Sequence, residues 1–134
     1  MRVVLDSNVI VAAYATHGLC HSLFELCMAG QTLILSQDIL NEVSAALLDR
    51  IKVPPKVVRE IISYLKQNAV MARPEALPPG TCRDADDLRV LGLAVGTRSD
   101  CLVSGDKDLL VIGQVQGIPI LTPREFYTLL QAKP

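Results

Sequence analysis

The stretch that organises the chain is residues 84–95, DADDLRVLGLAV, in which three carboxylates precede an almost entirely apolar run. The apolar run predicts a helix buried in the core, with the acidic residues in its first turn. Like charges close together at the edge of a core repel each other strongly. Either Asp84 caps the helix and Asp86 faces water, or a divalent cation compensates the acids. From this stretch alone, both interpretations stay open.

The composition is typical of one globular domain. The chain has 134 residues, of which 50% are hydrophobic and 20% charged, so we predict a single domain over residues 1–134. Residues 1–11 contain Asp6 and Asn8 and do not resemble a signal peptide. No apolar stretch reaches the length of a membrane span. We therefore predict a cytoplasmic protein with no membrane partner.

The cysteines and histidines form no familiar metal or disulfide motif. No two of the four cysteines are spaced as Cys-x-x-Cys, which favours reduced, largely buried thiols. His17 and His21 are four residues apart, but Gly18 interrupts them and no third ligand lies nearby. The sequence therefore does not favour a zinc site.

Short β-branched segments alternate with helical patterns along the chain. The predicted strands cover residues 2–5, 32–35, 70–72, 101–104 and 118–121. Residues 73–82, rich in proline, are predicted to form a loop. The alternation predicts an α/β domain of three layers, α/β/α, with a central parallel sheet of four to five strands.

Four segments bring carboxylates to one edge of this predicted sheet, beyond the carboxyl ends of the strands where ligands bind in such folds. In chain order these acids are Asp6, Glu42, Asp84, Asp86, Asp87, Asp106 and Asp108. Because no histidine or cysteine accompanies them, they predict a hard cation, Mg²⁺ or Mn²⁺. Magnesium pairs with substrate phosphate, so the chemistry open to the site is hydrolysis of a phosphodiester. The sequence has no nucleophile elbow and no phosphate-binding glycine loop.

Several segments, in this order, resemble the PIN-domain nucleases, the ribonuclease family that includes the VapC-type toxins of toxin–antitoxin pairs. The opening motif is residues 6–9, DSNV, and Glu42 lies in the helix after the second strand. Residues 84–87, DADD, and residues 103–110, VSGDKDLL, resemble two segments of one PIN subfamily. The tail, residues 121–126, LTPREF, resembles its closing helix. Nearly the whole chain therefore takes part in the resemblance.

The resemblance implies a PIN-like fold and a site. The implied catalytic residues are Asp6, Glu42, Asp87 and Asp106, and the implied ligands of Mg²⁺ or Mn²⁺ are Asp6, Asp87 and Asp106. The implied supporting residues are Ser7 or Asn8, which would orient Asp6, Ser104 in place of the family's threonine, and the further acids Asp84 and Asp108. The family also implies a homodimer and, for toxins, a small antitoxin protein that blocks the site.

A basic segment lies between residues 50 and 73, where six cationic side chains stand against the single acid Glu60. Two interpretations account for this segment equally well: a solvated helical face and a surface that contacts phosphates. We treat Lys56 and Arg59 as candidate RNA contacts.

With the acidic cluster, the resemblance implies a metal-dependent endoribonuclease for single-stranded RNA, the toxin of a toxin–antitoxin pair. The alternatives are a non-toxin PIN nuclease of RNA processing and a non-catalytic, magnesium-binding signalling module like a response-regulator receiver. A receiver needs an aspartate after its middle strand and a lysine after its last, and neither is found at residues 70–72 or after residue 121.

Overall fold

The structure is a computed structural model that describes residues 1–132. Its elements are, in chain order, β1 (Arg2–Leu5), α1 (Ser7–Ala15), α2 (Leu19–Gly30), β2 (Thr32–Leu35), α3 (Gln37–Asp49), α4 (Pro55–Asn68), β3 (Val70–Met71), α5 (Ala85–Gly96), β4 (Cys101–Val103), α6 (Lys107–Ile112), β5 (Gln114–Val115), β6 (Ile118–Leu121) and α7 (Pro123–Ala132). The strands form one sheet in the order β3-β2-β1-β4-β6-β5. The predicted three-layer α/β fold is confirmed. The order differs from the 2-1-3-4-5 order of receiver domains.

Over the described residues the sheet has six strands, one more than the upper limit of the prediction. The additional strand is β5, which pairs antiparallel with β6, whereas all other neighbours are parallel. A turn with φ values of 47° at Gln116 and 84° at Gly117 joins the two strands. Two positive φ angles in a two-residue turn match the twist of a hairpin. Because β5 contains a single apolar residue, Val115, the sequence pattern did not reveal it.

Side chains cap the helices where the sequence places them. The Ser36 hydroxyl accepts a 3.2 Å hydrogen bond from the Ile39 N–H at the start of α3. At the start of α7, Thr122 and Glu125 form reciprocal hydrogen bonds of 2.9 Å and 3.0 Å, which constitute a capping box. These local contacts determine where α3 and α7 begin.

The predicted loop at residues 73–82 packs closely against α5. The Glu75 N–H donates a 3.0 Å hydrogen bond to the Gly92 carbonyl. A Cβ atom at position 92 would lie only 2.1 Å from the Glu75 carbonyl oxygen. Since such a distance is far inside van der Waals contact, glycine at position 92 is a requirement of this packing.

The carboxyl ends of the central strands meet at one edge of the sheet. The Asp6 N–H, just after β1, donates a 2.9 Å hydrogen bond to the Val103 carbonyl of β4. The Ser104 N–H donates a 3.0 Å hydrogen bond to the Leu121 carbonyl of β6. The residues that follow these strands are thereby held side by side.

Among residues 1–132, no single helix is long and apolar enough to cross a membrane. Only α1 and α2 taken together reach that length and composition, with a bend of 109° between them. Both helices contribute buried side chains to the core, among them Val9, Ile10 and Leu23.

Cys27 and Cys101 are buried, as predicted, whereas Cys20 and Cys82 are half-buried. No disulfide joins these four cysteines, all of which lie in the described residues. The two ring nitrogens of His21 lie 3.1 Å from the Ala13 carbonyl oxygen and 2.9 Å from a Glu25 carboxylate oxygen. The His17 ring packs edge-on against His21, with 4.9 Å between the ring centroids. Both ring nitrogens of His21 are therefore engaged within the protein.

Candidate active site

Three acidic side chains converge at the carboxyl edge of the sheet. Carboxylate oxygens of Asp87, Asp106 and Asp108 all lie within 4.8 Å of one another. Asp87 is only 8% exposed, whereas Asp108 is exposed to solvent. We call Asp87, Asp106 and Asp108 the acidic triad. Asp106 follows β4 and caps α6, Asp108 lies in the first turn of α6, and Asp87 lies in the first turn of α5. Both helices begin at the same edge of the sheet, which brings these residues together.

Asp6 is buried and has several hydrogen-bond partners. Its Oδ2 atom accepts hydrogen bonds from the Ser104 hydroxyl at 2.7 Å and the Asn8 side-chain amide at 3.3 Å. Its Oδ1 atom accepts a 2.8 Å hydrogen bond from the Ser7 N–H and caps α1. The predicted supporting residues Ser7, Asn8 and Ser104 therefore all contact this carboxylate. These contacts hold Asp6 in one orientation at the edge of the sheet.

Ser104 connects Asp6 with the acidic triad. Its hydroxyl donates to Asp6 and accepts a 3.0 Å hydrogen bond from the Asp106 N–H. Asn8 adds a second link, since its side-chain oxygen accepts a 3.3 Å hydrogen bond from the Gly105 N–H. The Ser104 hydroxyl therefore makes both of the hydrogen bonds that join Asp6 to Asp106.

Two further acids, Asp84 and Asp106, cap helices as Asp6 does. The Asp106 Oδ1 atom accepts a 2.9 Å hydrogen bond from the Asp108 N–H at the start of α6. The Asp84 Oδ1 atom accepts hydrogen bonds from the N–H groups of Asp86 at 2.7 Å and Asp87 at 3.2 Å. Asp84 thus caps α5, which is one of the two interpretations that the sequence leaves open for residues 84–87; the other is compensation by a cation. The capping contacts are present, and they leave the acidic triad without a cationic partner in the described residues.

Burial and mutual repulsion disturb the titration of these carboxylates. Burial, followed by the charges of Asp106 and Asp84, raises the pKa of Asp87 from 3.8 to about 7. The pKa of Asp6 is also raised, mainly by burial, although hydrogen bonds from Ser104 and Ser7 oppose the rise. A raised pKa of this kind means that the charged form of the site is unfavourable without a compensating cation.

Glu42 lies at the rim of the site. Its Oε2 atom accepts a 3.4 Å hydrogen bond from the Ser7 hydroxyl, and the residue is exposed. Desolvation, followed by the charges of Asp6 and Asp86, raises the pKa of Glu42. Glu42 therefore interacts electrostatically with Asp6 and is not a member of the acidic triad.

The structure also shows contacts that the sequence analysis did not identify. Arg89 of α5 forms ion pairs with Asp86 and, at 3.6 Å, with Asp38 in the first turn of α3. Its charge partly opposes the rise in the pKa of Glu42. The three-residue spacing between Asp86 and Arg89 on one helix was a local signal for this pair. The contact with Asp38 depends on how α3 and α5 pack and had no local signal.

The candidate RNA contacts Lys56 and Arg59 lie elsewhere, exposed on α4. They line a separate groove with Glu60, Ser63, Tyr64 and Gln67. None of the acidic site residues borders this groove. The structure therefore does not bring Lys56 and Arg59 to the acidic triad.

The chemistry of the donor set fits a hard cation. The acidic triad offers only oxygen ligands, which Mg²⁺ and Mn²⁺ prefer. The same carboxylates repel one another, so a bound cation relieves an existing electrostatic cost. The fold and the site thus define a class: three-layer α/β domains with an acidic, oxygen-only centre at the carboxyl edge of the sheet.

Comparison with known proteins gives the family. The family model described as PIN domain matches residues 2–108, and the chain therefore belongs to the PIN domain family. Membership of this family supports nuclease activity. No curated protein matches the sequence significantly.

Solved structures share the fold at low sequence identity. One is a chain of the crystal structure of VapBC2 from Rickettsia felis bound to a DNA fragment from their promoter, with 14% identity and a TM-score of 0.63. The match covers 91% of this chain and 98% of that one. The PIN domain endonuclease Utp24 is 18% identical with a TM-score of 0.53, over 90% of this chain and 84% of that one. At these identities the likeness concerns the fold.

Proposed function

We propose that the protein is a Mg²⁺- or Mn²⁺-dependent endoribonuclease that hydrolyses phosphodiester bonds of single-stranded RNA. The observation that carries this proposal is the convergence of Asp87, Asp106 and Asp108 within 4.8 Å. Membership of the PIN domain family supports the reaction class. The absence of a histidine or cysteine among the clustered acids supports the cation type.

In this proposal Asp6, Asp87 and Asp106 would hold the cation, and Asp108, the third member of the acidic triad, offers a further oxygen ligand. A bound divalent cation lowers the pKa of water and polarises the scissile phosphate. Ser104 and Asn8 keep Asp6 oriented through their hydrogen bonds to Oδ2. Glu42 completes the proposed catalytic quartet of Asp6, Glu42, Asp87 and Asp106. Its raised pKa and exposed position suit it to accept a proton from water at its carboxylate.

We further propose that this nuclease is the toxin of a toxin–antitoxin pair in the cytoplasm, acting as a homodimer and blocked by a small antitoxin protein. The likeness to the VapBC2 structure supports this reading, since that structure contains such a pair bound to its promoter. Growth arrest on expression, relieved by the product of the adjacent gene, is the expected outcome.

The second candidate is a PIN nuclease of RNA processing that has no antitoxin. The likeness to Utp24, described as a PIN domain endonuclease, favours it. Expression without growth arrest, together with RNA cleavage in vitro, would select this candidate. A receiver-like signalling module is disfavoured by both the sheet order and the family.

The decisive experiment is incubation with tRNA, mRNA and rRNA in the presence of Mg²⁺ or Mn²⁺. Asp6→Asn removes charge and not volume, so we expect a folded protein without cleavage activity. Asp49→Asn, an exposed acid at the end of α3, is the matched control and should cleave as the wild type does. Equal cleavage by wild type and Asp6→Asn would refute the proposal.

A further inference from the structure

A cavity of about 400 Å³ adjoins the acidic triad. One wall is the end of the loop before α5, a second is the first turn of α5, and a third is α6. Its lining residues are Gly80, Thr81, Cys82, Arg83, Asp84, Asp87, Asp108 and Ile112. A volume of this size falls in the range of small-ligand pockets. Asp87 and Asp108 belong to both the cavity and the acidic triad, so a ligand that fills the cavity reaches the proposed cation site.

The loop wall of this cavity is held by several contacts. A turn at residues 78–81 has Gly80 at a φ of 88°, where glycine is favoured. The Thr81 hydroxyl donates a 2.7 Å hydrogen bond to the Pro78 carbonyl and closes this turn. Further back, the contact between Glu75 and Gly92 fastens the loop to α5. The position of Arg83 is therefore set on both sides, by the closed turn before it and the capped helix after it.

Arg83 is the one cation among the residues that line this cavity. It is exposed, and its side chain makes no ion pair or hydrogen bond with any residue in the range 1–132. Three of the other lining residues are carboxylates, which repel a polyanion. A guanidinium group with unused donors beside such acids is suited to a phosphate, because its fork of N–H groups matches phosphate oxygens.

We propose that this cavity is a nucleotide subsite in which Arg83 binds a backbone phosphate of RNA next to the one that is cleaved. The cavity would then offer two positive groups to RNA, the cation at the acidic triad and the guanidinium of Arg83 on the loop wall. This inference rests on the proposed ribonuclease function and adds the residue that positions the substrate. Because Arg83 would contact the bound RNA and not the reacting phosphate, replacing it should raise KM and leave kcat nearly unaltered.

The test compares Arg83→Gln and Arg83→Lys with the wild type on a short single-stranded RNA in Mg²⁺. Steady-state cleavage gives KM and kcat, and binding is measured by fluorescence anisotropy in an Asp6→Asn background. We expect Arg83→Gln to raise KM and Kd about tenfold and to reduce the salt slope of log K by about 0.7. Arg83→Lys keeps the charge but lacks the fork of N–H donors, so its KM and Kd should lie between those of the wild type and of Arg83→Gln.

The matched control is Arg98→Gln. Arg98 is also exposed, but it lies between α5 and β4, at the opposite edge of the sheet. It should bind and cleave RNA as the wild type does. If Arg98→Gln weakens binding as much as Arg83→Gln, the effect is one of net charge and the subsite is refuted.

Three further outcomes separate this inference from the proposed function. If wild type and Arg83→Gln cleave with equal KM, the subsite is refuted and the ribonuclease function stands. If neither protein binds or cleaves RNA, both proposals fail. If Arg83→Gln loses the Mg²⁺-induced gain in melting temperature, Arg83 acts through the cation site, and the phosphate contact is refuted.

Discussion

The Ser104 hydroxyl donates a 2.7 Å hydrogen bond to the Asp6 carboxylate, although 98 positions separate the two residues in the chain. The same hydroxyl accepts the Asp106 N–H at 3.0 Å. One fully buried hydroxyl thus links the ends of β1 and β4 and fixes two of the proposed catalytic acids relative to each other.

Ser104→Ala should lower both stability and cleavage. It removes a donor to buried Asp6 and an acceptor for Asp106, at a cost of about 1–3 kcal/mol in the free energy of unfolding. We expect a fall in kcat of about tenfold or more, since Asp6 loses its orientation. Ser104→Thr keeps the hydroxyl and should retain activity. Thermal melting and single-turnover cleavage measure both effects, and an active Ser104→Ala would contradict this role.

Removing charge from the acidic triad should stabilise the metal-free protein. In EDTA we expect Asp87→Asn to melt at a higher temperature than the wild type, because the variant removes the cost of burying a charge and the repulsion from Asp106 and Asp84. The variant should also lose the gain in melting temperature that Mg²⁺ or Mn²⁺ gives the wild type. Asp49→Asn serves as the control for a general effect of charge. A wild type whose melting does not respond to either cation would refute the metal site.

The stability of the metal-free protein should fall as the pH rises from about 4 to about 7. The pKa of Asp87 is near 3.8 in an unfolded chain and about 7 in the folded protein, so in this window the folded state binds more protons. Stability decreases with pH wherever the folded state holds the extra proton. Mg²⁺ binds the deprotonated form, so the Mg²⁺-induced gain in melting temperature should grow over the same window. Urea unfolding in EDTA across this range, with Asp87→Asn as the reference, measures the effect.

Gly92→Ala should displace the loop that walls the cavity. The added Cβ atom would meet the Glu75 carbonyl oxygen at 2.1 Å, and backbone must move to relieve this clash. We expect a loss of about 2 kcal/mol or more in the free energy of unfolding and a raised KM for RNA. Gly30→Ala is the matched control, because nothing lies within 4 Å of its added Cβ. If both variants unfold at the same denaturant concentration, the close packing is not significant.

Charge reversal on α4 tests the candidate RNA surface. Lys56→Glu with Arg59→Glu should weaken RNA binding and flatten its salt dependence, by about 0.7 in the slope of log K for each lost contact. Because these residues border a groove that lacks the acidic side chains, kcat should not change. Unchanged affinity at low salt would leave α4 as an ordinary solvated face.

Local chemistry made much of this protein predictable. Strand and helix alternation, the Ser36 cap and the Thr122 capping box depend on residues within a few positions of one another, so a sequence pattern can reveal them. The carboxyl-edge rule for parallel sheets also placed the acids of separate segments on one side of the fold. The sequence by itself therefore determined the fold class and the candidate acids.

Only the tertiary structure decided which of these acids lie within 4.8 Å of one another. It grouped Asp108 with Asp87 and Asp106, left Glu42 at the rim and paired Arg89 with Asp38. It also placed the loop before Arg83 against Gly92 and kept α4 apart from the triad. These relationships depend on strand order and on close packing between segments far apart in the chain. A local sequence pattern cannot predict the distances between these side chains, because they are set only when the strands assemble into the sheet.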